Sequence, residues 1–599
     1  MNAKREYINK KKTYESRLEK LTSRNNIYGN VRLIIVLIGI IYSIISFSNK
    51  NYIAMLNSLV ITAILFVILV MLHQQIRNQK NTINALYNIN DKGIKRLKGE
   101  WVKFDEQGEE FIDVNHNYSS DLDIFGKHSL FQWLNQTNTP IGKEKLKKAL
   151  IDPVKNSKTI INRQQAVKEL ASKIEWMQQF LASGMLENKK IKQEKNLINW
   201  SKDNNTSYCN NKIWSFVRYL PIFSIATILL AIYIPTFSYV YSIILFGIQI
   251  IILFKGFAKR HIMIEEISEY RQQITVYEQM IKQIEDSEFE SQYLMNLKNQ
   301  MIYNNKETAS MQIKKLDRIM DMVSLRRMQF YILFNIITLW DIHCVISLEK
   351  WKEKYGDKLP KWIDSLGDME ALCSIATIAY EQPNWVMPTI VKDKKISASN
   401  MGHPLIHEDN RVCNDVTFGG RYTSLLITGS NMSGKSTFLR TIGINLVLAY
   451  AGAPVCADNL VCPMMDIYTS MRISDDIENK ISSFYAELLR IKKIIEATKQ
   501  GKDVLFLLDE IFRGTNSKDR HVGAKTLIRN LCKEDTLGLI STHDLELADM
   551  ALEENSKIKN YHFQEHYKEN KIYFDYTLYK GVSNTFNAIY LMKQIGIEM

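Results

Sequence analysis

Gly429 and Gly434, followed at once by Lys435 and Ser436, have the residue types and spacing that hold a phosphate. Paired glycines let the backbone curl until successive N–H groups point inward at an anion, the lysine reaches its outer oxygens, and the serine hydroxyl completes a Mg²⁺ shell. The candidate phosphate-binding residues are therefore Gly429, Ser430, Asn431, Met432, Ser433, Gly434, Lys435, Ser436 and Thr437. Seventy-four residues beyond Lys435 (509 minus 435), the apolar run Val504 to Leu508 ends in Asp509-Glu510. An Asp there suits Mg²⁺ through water, alongside Ser436, and the adjacent Glu510 is placed to polarise an attacking water. A second apolar run, Leu539 to Thr542, ends in His543, where an ATPase can sense a γ-phosphate; taken singly, such a histidine is more often structural. Ser482-Ser483 precede a helical pattern, Phe484 to Gln500, that stops at Gly501. A serine-capped helix start can bind an anion, and it is equally an ordinary N-cap.

These groups need a scaffold. The apolar residues before Gly429 read as a strand and the pattern after Lys435 as a helix, and from Ser397 onward short strands and helices alternate. That alternation predicts an α/β nucleotide-binding domain, with ATP and Mg²⁺ as the expected ligands. At 599 residues and 46% hydrophobic composition the chain should form several domains with real cores, which excludes a disordered tail carrying a motif. Its formal net charge of +13 suits nucleic acid, an acidic membrane surface, or both. The seven cysteines include no C-x-x-C pair, which argues against structural zinc or a disulfide framework and for a reduced, cytosol-facing location.

Upstream, hydropathy organises the chain. Residues 1–30 are polar and basic; Leu33 to Ser48 and Tyr52 to Leu72 are uncharged apolar runs separated by Asn49-Lys50-Asn51. The pattern recurs as Tyr219 to Pro235 and Ser238 to Phe254, with Lys212 and Arg218 before it and Lys255, Lys259 and Arg260 after it. Two transmembrane hairpins fit this layout, and the positive-inside rule places the N-terminus, residues 73–215 and everything after 256 on the cytoplasmic side. Phe330 to Leu348 is also apolar, but Asp341 and His343 argue against a fifth span and for satisfied partners in a helix interface. Thr137 to Pro140 reads as a loop, Pro153 as a helix breaker, Gly356, Pro360 and Gly367 as turns, and Asp368 to Tyr380 as an amphipathic helix.

The combined motifs resemble one family. Thr428 to Thr437, Ser474-Asp475-Asp476, Ser482-Ser483-Phe484, Leu508 to Thr515 and Ser541-Thr542-His543 closely resemble the ATPase domain of the MutS family of DNA mismatch repair proteins. The likeness runs from about Gly402, with His403-Pro404, to Gly581-Val582-Ser583 and Ile595-Gly596-Ile597. Ser129 to Gly142 and Asn162 to Leu170 are similar to the start of the family's helical core and lever, and Asp368 to Ala376 to its return. The resemblance implies an ABC-type ATPase working as a dimer, each nucleotide held between one protomer's phosphate loop and a signature serine of the other. Lys435 and Ser436 would then bind phosphate and Mg²⁺, Asp509 would orient the metal's water, Glu510 would be the base, His543 would read the γ-phosphate, and Ser482 or Ser483 would act across the dimer. Ser430 stands where the family usually has Pro, Phe512 where it has Gly, and Asn516 where it has Ser; none of these removes a group from hydrolysis.

The departures concerning DNA are larger. The family's mismatch-reading domain carries a Phe-x-Glu wedge; Phe104-Asp105-Glu106 has that form but follows the first hairpin with no room for the wedge domain, so it reads as a chance match. The second hairpin falls about where the DNA clamp would be inserted, and the family's C-terminal dimerisation extension has no counterpart before Met599. The expected plan is a basic N-terminus (1–30), hairpins at 31–72 and 216–256, a helical core and lever at 73–215 and 257–396, and the ATPase domain at 397–599. The expected function is ATP-driven dimer switching coupled to DNA, mismatched or branched, by a membrane-anchored homodimer. The rival is an ABC-type motor of a membrane complex that does not act on DNA. Against it, the apolar spans carry no ionisable residue to mark a pathway and an LSGGQ-type signature is absent.

Overall fold

The computed structural model describes residues 3–185, 195–203, 208, 212–234, 236–304, 307–472, 483–512, 516–533, 535–568 and 571–582. Ser474 to Asp476, Ser482, Arg513 to Thr515, Ser583 and Ile595 to Ile597 lie outside them. The chain divides into two compact units, one of Met1–Gly93, Thr137–Lys145 and Glu175–Glu370, the other of Ile94–Gln136, Leu146–Ile174 and Ala371–Met599.

In the first unit, α1 (Ala3–Ser48) and α2 (Tyr52–Leu97) are helices of 46 residues each, both long and apolar enough to cross a membrane. At 1.5 Å per residue each reaches roughly 70 Å, more than twice a hydrocarbon layer of about 30 Å. The basic N-terminal stretch is therefore no separate element but the first half of α1. The two helices pack through small and polar residues. A Cβ on Gly39 would collide with the Thr62 side chain, and the Ser43 and Ser58 hydroxyls are 2.7 Å apart. Toward the polar ends, His73 and Asn25 hydrogen-bond at 3.0 Å, and Lys11 Nζ donates to Asp91 Oδ1 at 2.6 Å. Small residues let helix backbones approach closely.

The second apolar pair is α3 (Leu220–Tyr233) and α4 (Val240–Phe254). It is followed by α5 (Phe257–Ser268), α6 (Arg271–Asp286), α7 (Ala309–Ser324), α8 (Tyr331–Thr338), α9 (Trp340–Tyr355) and α10 (Leu359–Glu381). With 14 and 15 residues, α3 and α4 fall short of the about 20 a span needs. Four spans are thus not established: two helices qualify outright, or up to four if the bent pairs α4–α5 (63°) and α8–α9 (70°) each count as one. Gly256 (φ 78°) and Leu339 (φ 51°) make those bends. Within the pair, Gln249 Nε2 donates to Ser224 Oγ at 2.8 Å and Ser242 Oγ to Thr227 Oγ1 at 3.1 Å. Asp341 is a satisfied interface partner as expected, accepting from Tyr331 Oη at 2.6 Å and Asn335 Nδ2 at 3.0 Å. Gly367 corrects the reading of a turn: it lies inside α10, where a Cβ would meet Ile141 Cγ1 at 2.7 Å, so it serves close helix packing.

The second unit holds strands β1 (Thr389–Val391), β2 (Lys395–Met401), β3 (Asn414–Gly419), β4 (Ser424–Thr428), β5 (Asn459–Pro463), β6 (Asp466–Ser470), β7 (Val504–Asp509), β8 (Leu537–Thr542), β9 (Ile558–Lys568) and β10 (Lys571–Lys580). The main sheet runs β10-β9-β4-β8-β7-β6, parallel except for β10, and a smaller sheet runs β1-β5-β2-β3. Every residue of β4, β7 and β8 is buried, as the continuous apolar runs of a parallel sheet covered on both faces require. Helices α11 (Lys435–Ala451), α12 (Ser483–Lys499) and α13 (Ser517–Lys533) complete the domain. Gly501 (φ 73°) ends α12 as the sequence predicts, with Lys502 N–H donating back to Ala497 O at 3.2 Å.

Two buried carboxylates fasten the upstream pieces of this unit. Glu381 pairs with Arg96 at 2.6 Å, and the same guanidinium donates to Trp133 O at 2.9 Å. Asp121, in the 94–136 piece, accepts from Thr469 Oγ1 (2.7 Å), Met471 N (3.1 Å), Arg472 N (3.1 Å) and Arg490 (2.9 Å). Phe104 belongs to the same piece, its carbonyl accepting from Gln132 Nε2 at 2.7 Å, which is a local structural role.

Candidate functional site

The parallel register sets Thr428 beside Thr542 and Ser541 beside Asp509, so the C-terminal ends of β4, β8 and β7 are adjacent. The loop after β4 begins at Gly429 (φ 147°) and ends at Gly434 (φ 104°). A Cβ on Gly429 would lie 2.9 Å from both Phe563 O and Ser433 Oγ, so the first glycine is required by contact as well as by conformation. Met432 also takes a positive φ of 69°; Asn431, Met432 and Thr437 are exposed. Lys435 opens α11, is buried, and donates to Gly429 O and Ser430 O at 2.8 Å each.

Behind the loop the sequence-predicted groups converge. Ser436 Oγ donates to Asp509 Oδ2 at 2.6 Å, and Ser541 Oγ donates to Asp509 Oδ1. Glu510 Oε1 lies 3.7 Å from Lys435 Nζ, and Glu510 Oε2 lies 3.6 Å from His543 Nδ1. Glu510 has a left-handed backbone (φ 48°), an uncommon and strained state for a non-glycine residue, fixed by its N–H donating to Ser541 O at 2.9 Å. The structure therefore brings Lys435, Ser436, Asp509, Glu510 and His543 into one cluster. Ser483 is described only as the first residue of α12.

Phe512 explains one departure noted in the sequence. Its φ is 63°, a conformation glycine adopts without steric penalty. The ring is buried against Phe484, centroids 6.2 Å apart, and its N–H donates to Glu487 Oε1 at 2.6 Å. Phe512→Gly should relieve roughly 1 kcal/mol of backbone strain but lose about 3–5 kcal/mol of ring burial, a net destabilisation that urea unfolding would measure. Unchanged stability would mean the ring packing contributes little.

Three further residues were missed from sequence. Ser541 entered only as the first residue of Ser541-Thr542-His543, with no role of its own, whereas it donates to Asp509. Glu565 is buried on β9 and accepts from Ser430 Oγ at 2.8 Å, which ties the phosphate loop to the sheet through the position where proline was expected. Asp121 carries no local signal, because its donors lie about 350 residues downstream.

A glycine-bounded loop running from a central parallel strand into a helix, with a carboxylate pair at the end of the next strand but one, defines a P-loop nucleotide-binding domain. Residues 425–598 match the family model of MutS domain V, and residues 113–204 match that of MutS domain III. In these two stretches the chain carries the MutS family's domains V and III. It is 30% identical over 260 residues to the DNA mismatch repair protein MutS of Shouchella clausii, covering 42% of this chain and 29% of that one. Identity to the MutS proteins of Listeria monocytogenes and Natronomonas pharaonis is 31% over 244 residues and 29% over 245, in each case 40% of this chain and 28% of theirs. The chain thus spans less than a third of the length of these relatives.

Proposed function

We propose that this protein binds and hydrolyses ATP as a homodimer and couples that cycle to binding of DNA, mismatched or branched, in repair, from a membrane-anchored position. The observation that carries the ATPase reading is the convergence of Lys435, Ser436, Asp509, Glu510 and His543 at three adjacent strand ends. Lys435 neutralises phosphate oxygens while the loop amides cradle them. Ser436 Oγ and Asp509 Oδ2, 2.6 Å apart, are the hard oxygen donors that suit Mg²⁺ and would hold it. When bound, Mg²⁺ supplies neutralisation of charge on the β- and γ-phosphate oxygens. Glu510 orients the attacking water and accepts its proton, and the partly exposed His543 beside it contacts the γ-phosphate. Ser482 or Ser483 of a second protomer closes the site.

The matches to MutS domains V and III and the +13 net charge support the DNA reading. Affinity for mismatched and branched duplexes should fall steeply, by about 10³-fold or more between 50 and 200 mM salt if six or more phosphates are engaged. No binding to any DNA form at low salt would remove DNA and favour a motor of a membrane complex. The apolar stretches of α1 and α2, with α3 and α4 as a second hairpin, support the anchor, with the N-terminus, lever and ATPase domain cytoplasmic. The full chain should stay with membranes after an alkaline carbonate wash; recovery in the supernatant would refute the anchor.

A further inference from the structure

Where α4 bends into α5, and where α7 passes through Leu325–Arg327 towards α8, a cavity of 1010 Å³ opens. That is the upper end of the about 300–1,000 Å³ range of small-molecule sites. Its walls differ in character. One is apolar, built from Ile250, Leu253 and Phe254 of α4 with Ile332 and Ile336 of α8. Phe254 and Ile332 are 78% and 76% exposed, so this wall continues onto the outer apolar surface of the same helices. The other wall carries charge: Arg271, Arg326 and Arg327, with Glu265, Glu269 and Asp341.

These lining charges are equal in number, and several have partners. Arg271 meets Asp321 of α7, Arg326 Nε lies 3.2 Å from Asp341 Oδ1, and His261 Nδ1 lies 3.7 Å from Glu265 Oε2; Arg327 is exposed. Glu265, in the last turn of α5, and Glu269, its C-cap, stand four residues apart and both line the cavity. A balanced polar wall opposes a polyanion and suits a zwitterion, while the apolar wall suits acyl chains. The carboxylates accept hydrogen bonds, which a primary ammonium can donate and a quaternary one cannot.

We propose that this cavity binds one phospholipid of the ethanolamine type, its phosphate towards Arg326 and Arg327, its ammonium towards Glu265 and Glu269, and its chains along α4 and α8. The assignment rests on the membrane placement proposed above, since the lipid would enter sideways from the bilayer.

The test is mass spectrometry of lipid retained by the full chain extracted from washed membranes in mild detergent, followed by reconstitution in nanodiscs of phosphatidylethanolamine, phosphatidylglycerol or phosphatidylcholine. Phosphatidylethanolamine should be enriched over the bulk membrane. Arg327→Glu, at an exposed position, should lower that enrichment about tenfold, the weight of one charge-assisted contact. Ile336→Trp, which fills the cavity without touching its charges, should lower it independently. Retained lipid of bulk composition, or enrichment of phosphatidylglycerol or phosphatidylcholine instead, would overturn the proposal while leaving the chain in the membrane. A lipid-free chain in the carbonate supernatant would overturn both readings; a chain found there still carrying phosphatidylethanolamine would keep the site and sink the anchor.

Discussion

Glu510→Ala is expected to leave ATP bound while slowing its hydrolysis by about 10² to 10⁴-fold, the usual share of a positioned general base. Binding should survive because the groups assigned to the phosphates belong to the loop and to α11, and Lys435 keeps its two 2.8 Å contacts to the Gly429 and Ser430 carbonyls without Glu510. Turnover should fall because no other described carboxylate is placed as Glu510 is, held by a left-handed backbone between Lys435 and His543. Asp509 is not placed to replace it, since its oxygens face Ser436 and Ser541, whereas Glu510 stands between Lys435 and His543. Filter binding of labelled ATP and a phosphate-release assay separate the two outcomes. Unchanged turnover would remove Glu510 from its role, and lost binding would show that it helps shape the pocket.

Asp121→Ala should be the most damaging change outside the nucleotide site. Its carboxylate is 1% exposed and accepts four hydrogen bonds, one of them from the Arg490 guanidinium of α12. Removing a carboxylate this buried typically costs about 3–5 kcal/mol, because the N–H and hydroxyl donors around it lose their acceptor; the Arg490 side chain, 25% exposed, recovers part of its loss from water. Asp121 also reaches α11, its carbonyl accepting from Arg440 Nε at 2.9 Å. One residue therefore touches the helix that starts at Lys435, the end of β6, and the helix that starts at Ser483. Denaturant unfolding should show the loss, and hydrogen exchange should rise first in α12. Asp123→Ala is the control: its link to Arg472 is more exposed and should contribute under about 1 kcal/mol. Equal effects from the two variants would contradict this account.

The contrast between these residues shows what was legible in advance. The phosphate loop, Asp509-Glu510 and His543 could be read because each is a short contiguous run whose chemistry depends on neighbours in sequence and on an adjacent strand. Asp121 could not, since its meaning lies in donors some 350 positions away and an aspartate among polar residues looks like any other. The apolar helical region was half legible. Hydropathy finds apolar runs but not helix ends, so α3 and α4 proved shorter than the runs containing them, and α1 and α2 far longer. Gly367 was misread because a glycine marks a turn or a close helix contact with equal ease.

The unbroken course of α1 has a geometric consequence. At 100° per residue, the azimuth of Gly39 against Thr62 and that of Lys11 against Asp91 are set by one count of residues with no joint between them. Seven residues inserted in the intervening stretch of both α1 and α2 would nearly preserve that phase, whereas two would turn one contact face away from its partner. The apolar and polar halves of this hairpin are thus indexed to each other like the two ends of a keyed shaft, and rotation imposed at one end must appear at the other.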